Sequence, residues 1–258
     1  MAGCRPVNAY NNARPRNEGC PVDESAPTPA EYWENRYREN GKSWSGNVNA
    51  ALEHEVAGVT PGTALDIGSG EGGDALWLAH NGWVVTAVDI SPTALAIGAA
   101  AQSPEDHVTW VAADLAEWTP PGVYDLVTCC FLHSFVELAR EAILRRAAAA
   151  VAPGGLLLIV GHSGAPHWLT AHDDDQPHAN EHQTKHKHDD TDLPTAEDVL
   201  TALFHDSERL DRADWTVLTK GPVERPITAP DGSASSSVDS VLKLRRAAAW
   251  RSDTPRHD

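Results

Sequence analysis

Apolar residues in the middle of the chain form short segments of two kinds, which alternate along the sequence. Runs rich in Val, Ile and Leu predict strands, and stretches with apolar residues every three or four positions predict helices. The predicted strands are 63–67, 83–89, 107–112, 123–130 and 154–161, and the predicted helices among them are 71–80, 92–101 and 137–150. Strands that alternate with helices predict a parallel sheet with helices on both faces.

The flanking segments add further elements to this α/β fold. Residues 29–40 and 49–58 predict two helices ahead of the first strand, and residues 215–221 and 237–244 predict two strands near the end. Residues 1–28 are rich in Asn, Arg, Pro, Gly and Glu and lack periodicity, so we expect a disordered tail there. The expected organisation is one domain over residues 29–250, interrupted by a His- and Asp-rich loop at 163–192, with a tail at 251–258.

A glycine-rich turn follows the first predicted strand. It has the sequence Asp66-Ile67-Gly68-Ser69-Gly70-Glu71-Gly72-Gly73, and the next strand ends at Asp89. Glycines let the backbone bend sharply and approach a ligand where a Cβ would collide. A carboxylate at the tip of the second strand can accept hydrogen bonds from two ribose hydroxyls. The unit predicts a site for an adenosine-containing cofactor at the carboxyl edge of a parallel sheet.

The glycines fit two cofactors. Glycines at 68, 70 and 73, with an acid about 20 residues on, satisfy the dinucleotide fingerprint. The pattern Asp66-x-Gly68-x-Gly70-x-Gly72 resembles motif I of the class I S-adenosylmethionine-dependent methyltransferases. Asp66 favours the second interpretation, because an ammonium needs a counter-charge there and a pyrophosphate would be repelled. The turn also has no Arg or Lys to meet phosphates. A nicotinamide oxidoreductase remains the alternative.

Other segments extend the resemblance to small-molecule methyltransferases of the tellurite-resistance and thiopurine type and their actinobacterial relatives. The matching segments are Trp33–Tyr37, Trp44–Asn49, Val88–Leu95, Tyr124–His133 and Val151–His162. The likeness covers roughly residues 30–162 and recurs at 195–199 and in the last strands. It implies a doubly wound, mostly parallel, seven-stranded Rossmann-like sheet with an antiparallel C-terminal strand, and S-adenosyl-L-methionine as cofactor.

The resemblance also implies the residues of the cofactor site. The methionine part is expected at Asp66 and the turn, the ribose at Asp89, and the adenine at Asp114. Cys130, at the end of the fourth strand, is expected to face the methyl region. Trp44 is expected in a lid formed by the N-terminal helix, because cations are attracted to aromatic faces; the alternative is that these aromatic residues belong to the core. The complete set is Trp44, Asp66, Gly68, Ser69, Gly70, Gly72, Asp89, Ile90, Asp114, Leu115 and Cys130.

Two histidines follow the fourth and fifth strands, at the edge where an acceptor must lie. Our hypothesis is that His133 or His162 accepts a proton from a substrate thiol, hydroxyl or ring nitrogen, because imidazole titrates near neutral pH. The alternative is that both only line the pocket. Methyl transfer to a thiolate needs alignment and the exclusion of water rather than a base.

Composition limits the possible partners. The formal net charge of −17 argues against a nucleic-acid backbone or an anionic membrane surface as partner. No apolar run approaches the ~20 residues that span a bilayer. Four cysteines form no disulfide framework, and adjacent strand residues Cys129 and Cys130 should point to opposite faces. We expect a cytoplasmic protein, monomeric or homodimeric.

The segment from His162 to Asp190 holds many histidines and aspartates. Such side chains bind zinc, nickel or copper, but the segment has no Cys, no regular repeat and few apolar anchors. We therefore predict no specific metal site, and interpret the segment as a weakly chelating surface loop. A lid that orders over the substrate is the alternative.

Together these features predict an enzyme that moves a methyl group from S-adenosylmethionine directly to a small molecule, preferably a thiol or a chalcogen oxyanion. The alternatives are O- or N-methylation of a specialised metabolite, and a non-catalytic protein that binds S-adenosylmethionine or metal.

Overall fold

The computed structural model describes residues 27–41, 46–134, 136, 138–163, 193–205, 207–228 and 232–248. The strands are β1 (Thr63–Ile67), β2 (Val84–Asp89), β3 (Val108–Ala112), β4 (Tyr124–Cys130), β5 (Val151–His162), β6 (Trp215–Thr228) and β7 (Ala234–Arg246). They form one sheet in the order β3-β2-β1-β4-β5-β7-β6. Neighbours among the first five strands are parallel, and β7 runs antiparallel to both β5 and β6. The predicted doubly wound fold is confirmed.

Six described helices connect or cover the strands. They are α1 (Pro29–Asn40), α2 (Ala50–Val56), α3 (Gly73–His80), α4 (Pro92–Ala101), α5 (Arg140–Ala149) and α6 (Ala196–Phe204). The Ser91 side chain accepts from the Ala94 amide at the start of α4, and Pro92 takes the first helical position, where its missing N–H costs nothing. Our sequence interpretation did not include α6, although Thr195 and Asp198 form a capping box at its start.

Several elements begin or end at other positions than predicted. Helix α3 starts two residues late because Gly70 and Gly72 have left-handed φ values of 52° and 78°, which keep the turn open. Helix α5 starts three residues late, at Arg140. Strand β5 begins earlier, at Val151, which pairs with Tyr124 before a register shift. The strands β6 and β7 extend well past the predicted bounds and form a long hairpin.

The core lies on both faces of the sheet. One cluster packs Val127 and Leu157 against α5 and α6, and the other packs Leu126 and Leu158 against α2 and α3. Full burial of one such side chain contributes about 1.5–3 kcal/mol. Cys129 belongs to the first cluster, whereas Cys130 packs against the second, so the two thiols face opposite sides of β4 as predicted.

Within the described ranges, we find no helix with the length and apolar character that crossing a membrane requires.

Candidate active site

The strand order reverses between β1 and β4, and the turn after β1 lies at this point of the sheet. The Gly68 and Ser69 amides both donate to the Val88 carbonyl, at 2.9 and 3.0 Å, so the turn is fixed against the end of β2. A Cβ on Gly72 would come within 2.3 Å of the Trp110 ring, and Gly72 has a φ of 78°. Backbone conformation and space therefore both require glycine there. In doubly wound sheets, this crevice at the carboxyl edge is where ligands bind.

Asp89 ends β2 and faces the glycine turn. Its carboxylate accepts from the Gly70 amide at 2.8 Å and from the Ser91 amide at 2.9 Å, and the residue is only 8% exposed. Burial raises the pKa of Asp89, and the hydrogen bonds from backbone amides oppose that rise. A carboxylate has about four lone-pair sites, so these backbone amides leave room for a further donor such as a ribose hydroxyl.

Asp66 is the penultimate residue of β1 and is 2% exposed. Its Oδ1 accepts from the Thr128 hydroxyl at 2.9 Å, while Oδ2 has no hydrogen-bond partner among the described residues. Burial, with the nearby Asp74 carboxylate, raises the pKa of Asp66 to about 8. A buried carboxyl oxygen without a partner is costly, because neither water nor protein compensates its desolvation. The geometry fits a cationic ligand group such as an ammonium.

A second carboxyl lies beside Asp66. Asp74, in the first turn of α3, accepts from the Asn49 amide at 2.6 Å and from the Cys130 thiol. Burial raises the pKa of Asp74 and raises that of the Cys130 thiol well above its usual value. Cys130 therefore remains a neutral hydrogen-bond donor rather than a thiolate at neutral pH.

Two further polar atoms at this site are buried without partners among the described residues, namely Ser69 Oγ and Asn49 Nδ2. Ser69 was predicted as a site residue, and Asn49 was not. The Asn49 side-chain oxygen caps α2 by accepting from the amides of Ala51 and Leu52, at 2.9 and 3.2 Å. The only sequence signal for Asn49 was its place at the end of the Trp44–Asn49 signature.

The residues predicted to hold adenine lie next to Asp89. The Ala113 amide donates to the Asp89 carbonyl at 2.9 Å, which brings the exposed Asp114 to the same edge. Asp114 Oδ1 accepts from the Ala116 amide at 2.8 Å. Ile90 is half-buried, and the Leu115 side chain is 7% exposed and packs in the core on the α5 side.

Helix α1 lies across the glycine turn. Tyr37 is 5% exposed, and its hydroxyl would be 3.0 Å from a Cβ on Gly70. Glu34 accepts from the Ser91 hydroxyl at 2.7 Å and the Thr93 hydroxyl at 2.5 Å, and these bonds lower its pKa. Trp33 Nε1 donates to Ser134 Oγ at 3.3 Å. The helix is thus tied to the loops after both β2 and β4. Trp44 lies outside the described residues.

The structure brings the two predicted histidines together. Their rings stack with centroids 5.5 Å apart, and the His162 backbone amide donates to His133 Nε2 at 3.3 Å. Burial lowers the pKa of His133 to about 3 and also lowers the pKa of His162. Both rings are therefore neutral near pH 7, and the Nε2 lone pair of His133 is occupied. The rest of the His-rich segment, residues 164–192, lies outside the described residues.

Sequence reasoning missed three residues beside this pair. Phe131 stacks on His162 at 4.2 Å and has a φ of 53°, the only left-handed non-glycine residue in the described ranges. The Arg225 guanidinium lies 5.8 Å from the Phe131 ring and donates to Asp239 at 2.8 Å. No local pattern signals these contacts: Phe131 meets His162 because β4 and β5 are neighbours, and Arg225 meets Phe131 because β7 of the β6–β7 hairpin pairs with β5.

Comparison with known proteins agrees with this geometry. Residues 64–155 match the family model described as a methyltransferase domain. Over 110 residues, the chain is 33% identical to the 2-heptyl-1-hydroxyquinolin-4(1H)-one methyltransferase of Mycobacteroides abscessus, a match that covers 40% of this chain and 47% of that protein. The chain thus spans about half the length of this curated relative.

Solved structures share the fold at low identity. One of them concerns the conversion of a disulfide bond into a thioacetal group during echinomycin biosynthesis. It has a TM-score of 0.58 at 23% identity, and the match covers 86% of this chain and 94% of the solved chain. TehB from Haemophilus influenzae has a TM-score of 0.55 at 18% identity, and the match covers 83% of this chain and 67% of TehB. The N-methyltransferase NodS from Bradyrhizobium japonicum, solved with S-adenosyl-L-homocysteine, has a TM-score of 0.53 at 17% identity, covering 85% and 99%.

The matched segment holds the glycine turn together with Asp66, Asp89 and Asp114, whose spacing at one sheet edge suits an adenosine-containing cation. Residues 64–155 of this chain therefore correspond to a methyltransferase domain.

Proposed function

We propose that the whole chain is an S-adenosylmethionine-dependent methyltransferase that acts on a small-molecule acceptor. The observation that carries this proposal is the buried Asp66 carboxyl, whose Oδ2 has no partner among the described residues. A buried oxygen without a hydrogen-bond partner lowers the stability of the folded protein unless a ligand supplies a donor. The ammonium of the methionine group supplies it.

The proposed cofactor residues follow from their positions along the sheet edge. Asp66 and the turn hold the methionine group, Asp89 accepts from the ribose hydroxyls, and Asp114 accepts from the adenine amino group. Ile90 and Leu115 contribute the backbone and apolar surface around the base, and Cys130 borders the methionine side. S-adenosylmethionine supplies an electrophilic methyl group on a sulfonium.

The residues of this chain contribute alignment and the exclusion of water to the transfer. Helix α1 covers the turn through the contacts of Glu34 and Tyr37, and we propose that Trp44 extends this cover. A closed site holds the acceptor atom in line with the methyl group, which is worth several orders of magnitude in rate without acid–base chemistry. We propose that His133 and His162 shape the acceptor pocket rather than accept the proton, because the His133 lone pair is already engaged.

The acceptor that fits these neutral imidazoles is one that ionises by itself, such as a thiol or a chalcogen oxyanion. This agrees with the resemblance of Trp33–Tyr37 and Trp44–Asn49 to the tellurite-resistance and thiopurine type. Two arginines lie near the acceptor edge: Arg225 over the Phe131 ring, and Arg140, whose Nε donates to the Leu132 carbonyl at 3.0 Å. Because Arg225 is paired with Asp239, the charge of Arg140 is what favours an anionic acceptor in a chain that is otherwise strongly acidic.

A hydroxylated heteroaromatic acceptor is the second candidate. The observation in its favour is the match to a methyltransferase of a 1-hydroxyquinolone. The aromatic surface of Phe131 and His162 offers a face for a planar ring.

Calorimetric titration of chelator-treated protein with S-adenosylhomocysteine tests the cofactor assignment. We expect micromolar binding that Asp89→Ala weakens about 10- to 100-fold. The acceptor is then sought with methyl-labelled S-adenosylmethionine against thiols, tellurite, selenite and 1-hydroxyquinolones. Turnover confined to the first three supports the soft-nucleophile assignment, and turnover of the quinolones alone favours the second candidate. Cofactor binding with no turnover of any acceptor would favour a non-catalytic role, and the absence of binding would overturn the proposal.

A further inference from the structure

We propose that the side-chain amide of Asn49 binds the α-carboxylate of the cofactor's methionine group. This rests on the proposed function and extends the cofactor site to residues 46–49, outside the matched methyltransferase segment.

The orientation of the Asn49 amide is fixed from two sides. Its Oδ1 accepts from the Ala51 and Leu52 amides, and its backbone N–H donates to Asp74 Oδ1 at 2.6 Å. With the oxygen held by α2, the Nδ2 group must point away from that helix. It is buried and has no hydrogen-bond partner among the described residues. A donor so placed is satisfied only by a ligand atom or an ordered water.

The segment that carries Asn49 lies against the start of α3. A Cβ on Gly73 would come within 2.9 Å of the Asn47 carbonyl oxygen and 3.3 Å of Gly46, so the two backbones are in close contact. Among the described residues, no side chain caps the N-terminus of α3, and the N-terminus of a helix carries partial positive charge. Asn49 Nδ2 therefore lies beside a helix end that favours an anionic group.

The atoms without partners at this site complement an amino acid zwitterion. Asp66 Oδ2 is an acceptor suited to an ammonium, whereas Asn49 Nδ2 and Ser69 Oγ are donors suited to a carboxylate. All three atoms are buried. Asp74 lies between two of these residues, since it accepts from the Asn49 backbone amide and, in addition to burial, its charge raises the pKa of Asp66, and Ser69 lies in the glycine turn that follows Asp66. An α-ammonium and its α-carboxylate are separated by a single carbon, so adjacent acceptor and donor groups can hold both.

The variant Asn49→Asp isolates the proposed interaction. Asp is as good an N-cap as Asn, so the cap of α2 is kept, while Nδ2 is replaced by an oxygen that repels a carboxylate. The matched control is Asn81→Asp at the other end of α3, where the exposed Asn81 side chain donates to the Trp77 carbonyl.

The binding of two ligands is then compared by calorimetry. S-adenosylhomocysteine has the amino acid group, and 5′-methylthioadenosine has the same adenosine and thioether without it. We expect Asn49→Asp to weaken S-adenosylhomocysteine binding about 10- to 100-fold and to leave 5′-methylthioadenosine binding unchanged. The new buried carboxylate should also lower the melting temperature, so the difference between the two ligands is the readout. Ser69→Ala should show the same ligand dependence to a smaller extent, and Asn81→Asp should affect neither ligand.

Equal weakening of both ligands by Asn49→Asp, or no weakening of either, would overturn the assignment of Nδ2 to the carboxylate. Failure of the wild-type protein to bind either ligand would overturn the proposed function itself.

Discussion

The Asp89 carboxylate accepts the backbone N–H of Gly70 at 2.8 Å, across 19 positions of sequence. This bond joins the tip of β2 to the turn after β1, so the carboxylate and the turn position each other. A cofactor that contacts Asp89 therefore binds against a turn that is already ordered, and less conformational entropy is lost on binding.

Asp89→Ala should lower the affinity for S-adenosylhomocysteine about 10- to 100-fold, because charge-assisted hydrogen bonds contribute about 1.5–3 kcal/mol each. Calorimetric titration measures this. Asp125→Asn is the matched control, since that exposed carboxylate lies at the opposite end of the sheet and accepts from Thr63. An equal loss of affinity in the control would mean that the Asp89 effect is not local.

Gly72→Ala should destabilise the protein by about 2–5 kcal/mol. A φ of 78° is strained for alanine, and its Cβ would lie 2.3 Å from the Trp110 ring. Gly58→Ala is the control, because Gly58 has a φ of 74° with nothing near its Cβ. The control should lose only the stability that the left-handed backbone conformation costs an alanine, about 1–2 kcal/mol. Thermal and urea unfolding measure both, and equal losses would exclude the steric contribution of Trp110.

The ligand-free protein should lose stability as pH rises from about 4 to about 8. In this range folded Asp66, with its pKa raised to about 8 by burial and by Asp74 and Asp89, keeps a proton that the unfolded chain releases. The folded state then binds more protons, so the free energy of unfolding falls with increasing pH. Asp66→Asn should reduce this slope by up to about 1.4 kcal/mol per pH unit.

Urea unfolding of the wild type and Asp66→Asn at pH 5, 6.5 and 8 measures the difference in slope. Saturating S-adenosylhomocysteine should restore wild-type stability at pH 8, since its ammonium favours the ionised carboxylate. Parallel pH dependence in the two proteins would rule out Asp66 as the titrating group.

Turnover should show no ionisation of His133 between pH 5 and 8. Burial lowers the pKa of His133 to about 3, so this ring is neutral throughout the range, and burial also lowers the pKa of His162. The pH–rate profile should follow the ionisation of the acceptor instead. His133→Gln and His162→Gln should change kcat by less than about 10-fold, compared with 10²–10⁴ for the loss of a general base. A larger loss that removes a limb of the profile would restore the base hypothesis.

Glu34→Ala should speed the release of S-adenosylhomocysteine. Glu34 ties α1 to the start of α4 through Ser91 and Thr93, and without it the helix is less firmly held over the glycine turn. Stopped-flow displacement measures the off-rate, and the exposed Glu39→Ala on the same helix is the control. Unchanged release in Glu34→Ala would remove α1 as a cover of the cofactor site.

Much of this fold was predictable because its signals are local. The alternation of strands and helices, the glycine turn before α3 and the Ser91-Pro92 start of α4 depend on residues within a few positions of each other. The acids at the ends of β1 and β2 were predictable for the same reason. In a parallel sheet, consecutive strand ends meet at one edge, so Asp66 and Asp89 had to lie close together.

The sequence by itself thus determined the architecture and the acidic residues at the carboxyl edge of the sheet. Only the tertiary structure decided that Glu34 meets Ser91, 57 positions away, that Arg225 lies over Phe131, and that the His162 amide occupies the His133 lone pair. It also left Asn49 Nδ2 buried without a partner among the described residues. These relationships depend on register and packing between distant segments, and a linear pattern does not encode which side chains such packing will bring into contact.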